Sequence, residues 1–459
     1  MRGDRTWTFV RGLLPYQCNH LGGIEMEYLS NGKILVVNLE SKTTEELELD
    51  EELIQANLGG AGVNAYLLRE YKESEPVVLG TGLLTGTLCP GSSLGVMSSY
   101  REGTDELCHI PLSLRVPAEI KYSGFDFIVI LGRADSPCYL WIHDGIADLK
   151  DANPLWGKDV WETTDFLRKE LGDNLIQTVV IGPGGESLSP YAGICLNYWN
   201  ALDSLTLGHV LGSKKLKAIA LRGMGLLEIK EPESFIESCN TLLKEWKAQW
   251  DELPQGLTGI YKLLNKGDVG TWLSPIVHRH RASFNTPIAG STFVFIEENP
   301  MSVKETQQEE PGVLLTQYLP PLLLKERGLD PKEAASFLRG CARMGLEPVR
   351  LIRADIFHFP QGGLKDLPPL EEEKGNRGLS CANIPQQPLW PNAPMPKEEW
   401  PKWWERMLGF SYIFGLDPIF MLTLRPERYE VILKLVQLGS GIEVGLPKVD
   451  EVLEGITKG

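Results

Sequence analysis

The chain has 459 residues, a net charge of −16 and 42% hydrophobic residues. This length predicts two or three domains, and the acidic balance argues against a nucleic-acid partner, which would need a basic face. No run reaches the roughly 18 apolar residues of a membrane span, and no apolar stretch typical of a secretory signal follows the N-terminus, so we expect a cytoplasmic protein.

The eight cysteines are scattered singly along the chain, and no Cys-x-x-Cys pair occurs. A large chain without a secretion signal rarely carries a disulfide framework. Free thiols buried as small hydrophobic groups are therefore expected at all eight positions: Cys18, Cys89, Cys108, Cys138, Cys195, Cys239, Cys341 and Cys381.

Up to about residue 226 the pattern is mostly β. Short apolar runs rich in Val, Ile and aromatic residues, bounded by Gly, Asn or Asp, predict strands at 33–39, 76–84, 125–134, 138–142, 178–182 and 217–223. Two helices are predicted between them, over about 50–72 and over about 159–171, the second ending at Gly172.

After residue 230 the pattern becomes helical. Helices are predicted from Pro232, over 331–344 and over 426–438, the last ending at Gly439. Pro/Gly-rich connections at 285–312, 359–369 and 385–397 separate them, and no internal repeat is recognised. The predicted domains are 1–226, 227–360 and 361–459.

Six motifs then fall into one order along the N-terminal half. They are LGGAGVNAYLL (58–68), TGLLTGTLCPGSS (81–93), GFDFIVILGRADSPCYLWIHDG (124–145), LWGKDVWETTDFLRKELGD (155–173), VVIGPGGESL (179–188) and LGSKKLKAIALRG (211–223). This series resembles the N-terminal domain of the tungsten-containing aldehyde ferredoxin oxidoreductases over about residues 22–226. The likeness is fainter at 363–382 and 414–456, and we expect a divergent, shortened member of that family.

The resemblance implies an α+β fold: an N-terminal β-sheet platform for two pterin cofactors, followed by mostly α-helical domains. In the family a tungsten held by the pterin dithiolenes oxidises aldehydes to carboxylic acids, and a [4Fe–4S] cluster passes the electrons to ferredoxin. This fold and this chemistry are implied by the resemblance alone and not by the amino-acid composition.

The iron–sulfur cluster is not expected in this chain. Such a cluster needs four thiolates, which the family supplies from a C-x2-C-x3-C segment and a late G-L-C motif. The corresponding segment 278–295, HRHRASFNTPIAGSTFVF, has no cysteine, and Asp417 stands where the late thiolate would be.

The pterin contacts implied by the resemblance are only partly kept. The family's Gly-Gly-Arg-Gly becomes Gly59–Gly62 with Ala61 for the arginine, its glycine-rich loop becomes 101–124 with few glycines, and its Gly-Arg-Gly-Gly run becomes 205–209 with Gly208 alone. Of its two D-x-x-G-L motifs, one trace is recognised at 412–417. The candidate cofactor contacts are Gly59, Gly60, Gly62, Gly184, Gly185, Glu186, Gly208, Lys214 and Asp417; no catalytic or metal-ligating residue is assigned.

Two other groups of residues have alternative interpretations. His278 and His280 share a strand face that suits a metal, yet no third ligand is near in sequence, so a solvated basic patch is the favoured interpretation. A tryptophan-rich segment at 390–404 predicts either a protein interface or a proline-rich arm packed on the chain's own surface.

The sequence thus favours a non-catalytic paralogue or subunit that works with an active relative or another redox protein. The alternative is an active tungstopterin oxidoreductase of aldehydes whose cluster comes from a partner. A tungsten bis-pterin is allowed by the resemblance, and a third hypothesis is a small-molecule binding module that reuses the emptied cavity.

Overall fold

The computed structural model describes residues 28–101, 104–201, 203, 205–297, 311–357, 364, 384–391 and 395–457. Its strands in chain order are β1 Lys33–Asn38, β2 Thr43–Glu48, β3 Val77–Thr81, β4 Gly95–Tyr100, β5 Leu107–Leu112, β6 Phe127–Leu131, β7 Cys138–His143, β8 Ile146–Asp151, β9 Gln177–Ile181, β10 Ile194–Leu196, β11 Trp199–Asn200, β12 Leu216–Arg222, β13 Val277–Arg281, β14 Ser291–Phe295 and β15 Gly312–Leu315.

The helices are α1 Glu51–Asn57, α2 Gly60–Glu70, α3 Val116–Tyr122, α4 Val160–Leu171, α5 Pro183–Glu186, α6 Leu207–Ser213, α7 Pro232–Lys247, α8 Gly256–Leu263, α9 Gly267–Leu273, α10 Leu319–Glu326, α11 Pro331–Met344, α12 Pro348–Arg353, α13 Trp400–Phe414, α14 Pro418–Leu422, α15 Tyr429–Ser440 and α16 Leu446–Thr457. Sheets with a few helices come first and mostly helices follow, which is the predicted α+β fold.

The N-terminal half is built on two six-stranded mixed sheets. The first has the order β2-β1-β6-β3-β4-β5 and the second β11-β10-β9-β12-β7-β8. In each sheet one pair is parallel, β1 with β6 and β12 with β7, and the other neighbours are antiparallel. Strands such as β3, β6 and β9 are buried along their whole length, which explains their unbroken apolar runs.

Local end signals explain the helices that the sequence predicts correctly. Asp159 before α4 and Asp330 before α11 both form capping boxes, and Gly172 and Gly345 end the same helices in the left-handed conformation. Pro232 lies in the first turn of α7, as predicted.

Two predictions about helices were wrong in detail, and one short helix was not predicted. The predicted helix over 50–72 is two helices, because Leu58 and Gly59 have φ of +66° and +130° and break it. The last predicted helix begins at Tyr429 and ends at Gly441, so Gly439 lies inside it. Helix α3 was not predicted, because only seven residues separate Arg115 from Ser123.

The C-terminal half packs on the platform rather than standing apart from it. It also contains a three-stranded sheet, β13-β14-β15, whose strand β14 lies within the connection predicted at 285–312. Helix α16 reaches the first sheet, where His109 and the carbonyl of Ile456 are hydrogen bonded at 3.0 Å. The predicted boundary near 360 lies outside the described residues, and the three-domain division stays a prediction.

Within the described ranges, no helix has the length and apolar character that crossing a membrane requires.

Candidate cofactor platform

The first group of predicted cofactor contacts lies at the start of α2. Gly60 has φ of +47°, and a Cβ added there would lie 2.1 Å from the carbonyl oxygen of Tyr412. A Cβ on Gly59 would lie 3.3 Å from the carbonyl oxygen of Ile413, and one on Gly62 2.0 Å from that of Asn57. These glycines therefore permit contact with protein backbone, above all with the last turn of α13.

The loop after β3 contacts the same turn. A Cβ on Gly82 would lie 2.1 Å from the carbonyl carbon of Phe414. The N–H groups of Leu84 and Leu94 donate to the carbonyl oxygens of Phe414 and Gly415, at 3.1 and 3.0 Å. The C-terminus of α13 is thus bound by main-chain hydrogen bonds to the glycine-rich end of the first sheet.

The second sheet holds the C-terminus of α11 in the same way. A Cβ on Gly184 would lie 2.7 Å from the carbonyl oxygen of Gly345, and one on Gly182 2.4 Å from that of Met344. The N–H of Gly193 donates to the carbonyl of Gly345 at 2.9 Å. Behind this contact, Gly185 packs closely against Gly208 and Gly212 in α6.

The two bound helix ends share a sequence that the sequence analysis did not recognise as repeated. Residues 345–348 read Gly-Leu-Glu-Pro, and residues 415–418 read Gly-Leu-Asp-Pro. Each glycine ends a helix in the left-handed conformation, and each proline begins the next helix. The sequence analysis recognised only the trace at 412–417, and the second short copy at 345–348 gives each sheet one such motif.

Both acids of this repeat are buried caps. The Glu347 carboxylate accepts the N–H of Arg350 at 2.8 Å, and that of Asp417 accepts the N–H of Ile419 at 2.9 Å. Burial raises the pKa of Glu347 to about 7 and that of Asp417 to about 6. Asp417, which stands where the family has a cluster thiolate, here caps α14.

Asp203 is the residue that the sequence analysis missed. Its buried carboxylate accepts hydrogen bonds from four main-chain N–H groups, those of Ile194 at 3.1 Å, Leu205 at 3.2 Å, Leu207 at 3.0 Å and Gly208 at 3.0 Å. Converging N–H groups of this kind form an anion-binding concavity. The predicted cofactor contact Gly208 thus binds an anion that belongs to the chain itself.

Glu186 is held in a buried ion pair. One carboxylate oxygen accepts from the ammonium of Lys217, and the other accepts the N–H of Gly157 at 2.7 Å. Lys217 also donates to the carbonyl of Lys158 at 2.8 Å. This contact ties α5 to β12 and to the loop before α4.

Lys214 lies at the end of α6 and points away from Asp203. Its buried ammonium donates to the carbonyl oxygens of Glu75 and Gly132. Burial lowers the pKa of Lys214 to about 8. Gly212 faces α5 and Gly208 faces the backbone of Gly193, whereas His209 and Lys214 line a cavity.

The six cysteines inside the described ranges are free and buried. Burial raises the pKa of the thiols of Cys138, Cys195 and Cys341, and a hydrogen bond with Cys239 together with burial raises the pKa of Cys89. Both effects disfavour the thiolate that metal binding needs. No group of three His, Cys, Asp or Glu side chains suited to a metal occurs among the residues that the structure describes. Cys18 and Cys381 lie outside them.

The histidine pair and the tryptophan-rich segment both make internal contacts. His278 stacks on Phe295 at 4.2 Å, and His280 is hydrogen bonded to Thr292 at 3.1 Å. Trp390 and Trp403 meet edge to face at 5.2 Å. The tryptophan contact favours packing on the chain's own surface. His278 is exposed, and the interpretation of the histidine pair as a solvated basic patch stays a prediction.

Taken together, the residues present do not fit a bis-pterin group at the predicted positions. Beside the glycines of both sheets, the space that a side chain would take is filled by the backbone of the helix ends. The N–H donors near Gly208 are used by Asp203, and Glu186, Lys214 and Asp417 are each bound within the fold.

Comparison with known proteins agrees with this architecture. Residues 34–223 match the model of the aldehyde ferredoxin oxidoreductase N-terminal domain. A tungsten-containing aldehyde ferredoxin oxidoreductase of Pyrococcus abyssi is 35% identical over 226 residues, which are 47% of this chain and 37% of that protein. An aliphatic sulfonate oxidoreductase WOR-like subunit of Pyrococcus furiosus is 31% identical over 250 residues, 49% of this chain and 39% of that subunit. The match thus spans under two fifths of either relative.

The fold likeness extends further than the sequence likeness. A chain of the active-site complex BamBC of benzoyl coenzyme A reductase, solved with 1,5-dienoyl-CoA, superposes with a TM-score of 0.73 at 18% identity. The superposition covers 94% of this chain and 88% of that one, so the helical half shares the fold as well. Residues 34–223 of this chain are thus similar to the N-terminal domain of the aldehyde ferredoxin oxidoreductase family.

Proposed function

We propose that this chain is a non-catalytic member of the family that serves as a subunit or scaffold for an active relative or another redox protein. The observation that carries the proposal is the contact of Asp203 with four converging N–H groups in the segment that precedes Gly-Ser-Lys-Lys. The resemblance implies a pterin ligand loop there, and a buried carboxylate in such a loop repels a phosphate.

The bound helix ends support the same proposal. The C-termini of α11 and α13 contact the glycines of the two sheets through main-chain atoms, so each glycine cluster has a structural role. That the nine residues named in the sequence analysis bind a cofactor stays a prediction. We infer that in this chain Gly59, Gly60 and Gly184 hold the helical half on the platform, and that the others stabilise the fold locally.

The descriptions of similar proteins support a role in an assembly. One relative is named as a subunit of a sulfonate oxidoreductase, and the structure with the same fold is an active-site complex. Those descriptions belong to those proteins, and they motivate our choice of a subunit over a free-standing protein.

The metal content of the purified protein tests this proposal. The protein would be purified anaerobically from cells supplied with tungstate and molybdate, beside a tungsten-containing relative as positive control, and W, Mo, Fe and pterin fluorescence would be measured per chain. We expect values near zero in this chain and near stoichiometric tungsten in the control. About one tungsten per chain would refute the proposal and support an active tungstopterin oxidoreductase.

The subunit part of the proposal has a separate test. The protein would be tagged at its own locus, isolated under gentle conditions and analysed by size-exclusion chromatography with mass spectrometry. A stoichiometric complex with one redox protein is expected. A species with the mass of one chain at every concentration tested would contradict the subunit role.

A further inference from the structure

A cavity of about 480 Å³ lies on the side of α6 that faces away from Asp203. Its walls come from four parts of the chain: the segment after α2, the connection between β4 and β5, the loop after β6, and α6 itself. Ligand pockets in proteins usually have volumes of about 300–1,000 Å³. The cavity therefore has the size of a small-molecule site.

The charges around this cavity differ in sign from the chain as a whole. Among the described lining residues, four cations (Lys72, Arg101, Arg133 and Lys214) face two carboxylates, Glu75 and Asp105. The complete chain carries −16. A concentration of cations in a concave site on an acidic protein attracts small anions rather than polyanions, because the surrounding surface repels a large anionic partner.

The exposed cations are paired with side chains that an anion can displace. Arg133 contacts Glu75 at 2.8 Å, and Lys72 contacts Asp105 at 2.9 Å, with both carboxylates more than half exposed. Exposed pairs of this kind contribute about 0–1 kcal/mol each, so exchanging them for a ligand costs little. A guanidinium such as that of Arg133 or Arg101 then offers two parallel donors to a phosphate.

Lys214 is the lining residue that most strongly indicates an anionic ligand. Its side chain is about 1% exposed, and within the described residues its ammonium donates to two main-chain carbonyls, those of Glu75 and Gly132. An ammonium has three donors, and a buried cation is costly unless an anion compensates it. An anion in the cavity would accept the third hydrogen bond.

We propose that this cavity binds a small phosphate-bearing anion, with Arg101 and Arg133 holding the phosphate and Lys214 fixing its depth. Tyr100, which lines one wall, offers an apolar face to the organic part of such a ligand. The site is distinct from the Asp203 contact, because Asp203 accepts the N–H groups of Leu207 and Gly208 at the start of α6, whereas residues 209, 210, 213 and 214 line the cavity. It does not depend on whether the chain binds tungsten.

Binding of inorganic pyrophosphate and of ADP to the full-length protein tests the proposal. Calorimetry and thermal denaturation would compare the wild type with Arg101→Gln and Arg133→Gln. The matched control is Lys33→Gln, which removes an exposed cation paired with Glu46 at the opposite side of the first sheet. We expect saturable binding to the wild type and the control, weakened roughly tenfold to a hundredfold in each arginine variant, the usual loss of a hydrogen bond to a charged group.

A further variant places a negative charge in the cavity without removing any cation. Ser213→Asp lies on the lining face of α6, and we expect it to abolish binding while circular dichroism stays unchanged. Binding of ADP alone would assign the apolar wall to a nucleoside, and binding of pyrophosphate alone would assign the site to the phosphate. Binding of neither probe, or equal binding by Arg133→Gln and the wild type, would overturn the proposal.

Discussion

The carboxylate of Asp203 lies 3.0 Å from the main-chain nitrogen of Gly208. The contact joins the only glycine left in a predicted ligand loop, 205–209, to an anion carried by the same chain. A loop that offers several N–H groups to one point favours an acceptor there, and here a carboxylate of the same chain takes that place. The loop is thereby fixed in the fold without any bound group.

Replacing Asp203 by asparagine should destabilise the protein strongly. An asparagine has one carbonyl oxygen for four N–H groups, so at least two buried donors lose their acceptor, at about 1–3 kcal/mol each. We expect the free energy of unfolding, measured in urea, to fall by roughly 3 kcal/mol. The control Asp148→Asn, on an exposed position of β8, should change it by less than about 0.5 kcal/mol. Equal stability of the two variants would mean that Asp203 does not satisfy these donors.

Glu347 should make the stability of the protein fall as the pH rises. Burial raises its pKa from 4.5 in the unfolded chain to about 7 in the folded one. The positive charge of Arg350 acts to lower this pKa, and the negative charge of Asp203 acts to raise it. The folded state therefore binds more protons between these values. The stabilisation is complete below about pH 4.5 and is lost as the pH rises through 7.

The variant Glu347→Gln isolates this effect. It keeps an oxygen for the N–H of Arg350 and cannot ionise, so its stability should vary less between pH 5 and pH 8. The difference between wild type and variant should change by on the order of 3 kcal/mol over that range, at about 1.4 kcal/mol per pKa unit. Parallel curves for the two proteins in urea denaturation would show that Glu347 does not titrate there.

Gly60→Ala tests the contact between the platform and α13. A Cβ at this position meets the carbonyl oxygen of Tyr412, and φ of +47° is unfavourable for alanine, so we expect a loss of at least about 2 kcal/mol. Gly267→Ala is the matched control, because it lies at the start of α9 with no atom within 4 Å of the added Cβ. It should be neutral or slightly stabilising. Similar melting temperatures would contradict the close approach of the two segments.

The sequence was most informative where structure is determined locally. Six predicted strands and the helices α4, α7 and α11 occur because apolar periodicity and caps such as Asp159 act over a few residues. Glycine patterns also predicted close backbone approach correctly at Gly60 and Gly184. A glycine does not specify which group approaches it. The same glycine pattern in the sequence is therefore compatible with the predicted pterin and with the observed helix ends.

What could not be predicted depends on contacts between distant segments. The Gly-Leu-acid-Pro repeat is only four residues long, and its meaning appears when 345–348 and 415–418 are seen on corresponding parts of two sheets. Asp203 did leave a signal, an aspartate shortly before a helix, which is typical of residues that bind free N–H groups. That signal identifies the donor-rich loop and could be sought in similar chains.

The ion pair of Lys217 with Glu186 provides the last test, because both side chains are nearly inaccessible. Lys217→Met leaves the Glu186 carboxylate buried without its cation and should cost roughly 3–5 kcal/mol in the free energy of unfolding. The double variant Lys217→Met/Glu186→Gln removes both charges and keeps an acceptor for the N–H of Gly157, so it should recover at least about 1 kcal/mol of that loss. Lys33→Met, in an exposed pair, should cost less than about 1 kcal/mol. A double variant as unstable as Lys217→Met would show that the lost hydrogen bond to the carbonyl of Lys158, rather than the unpaired charge of Glu186, causes the loss.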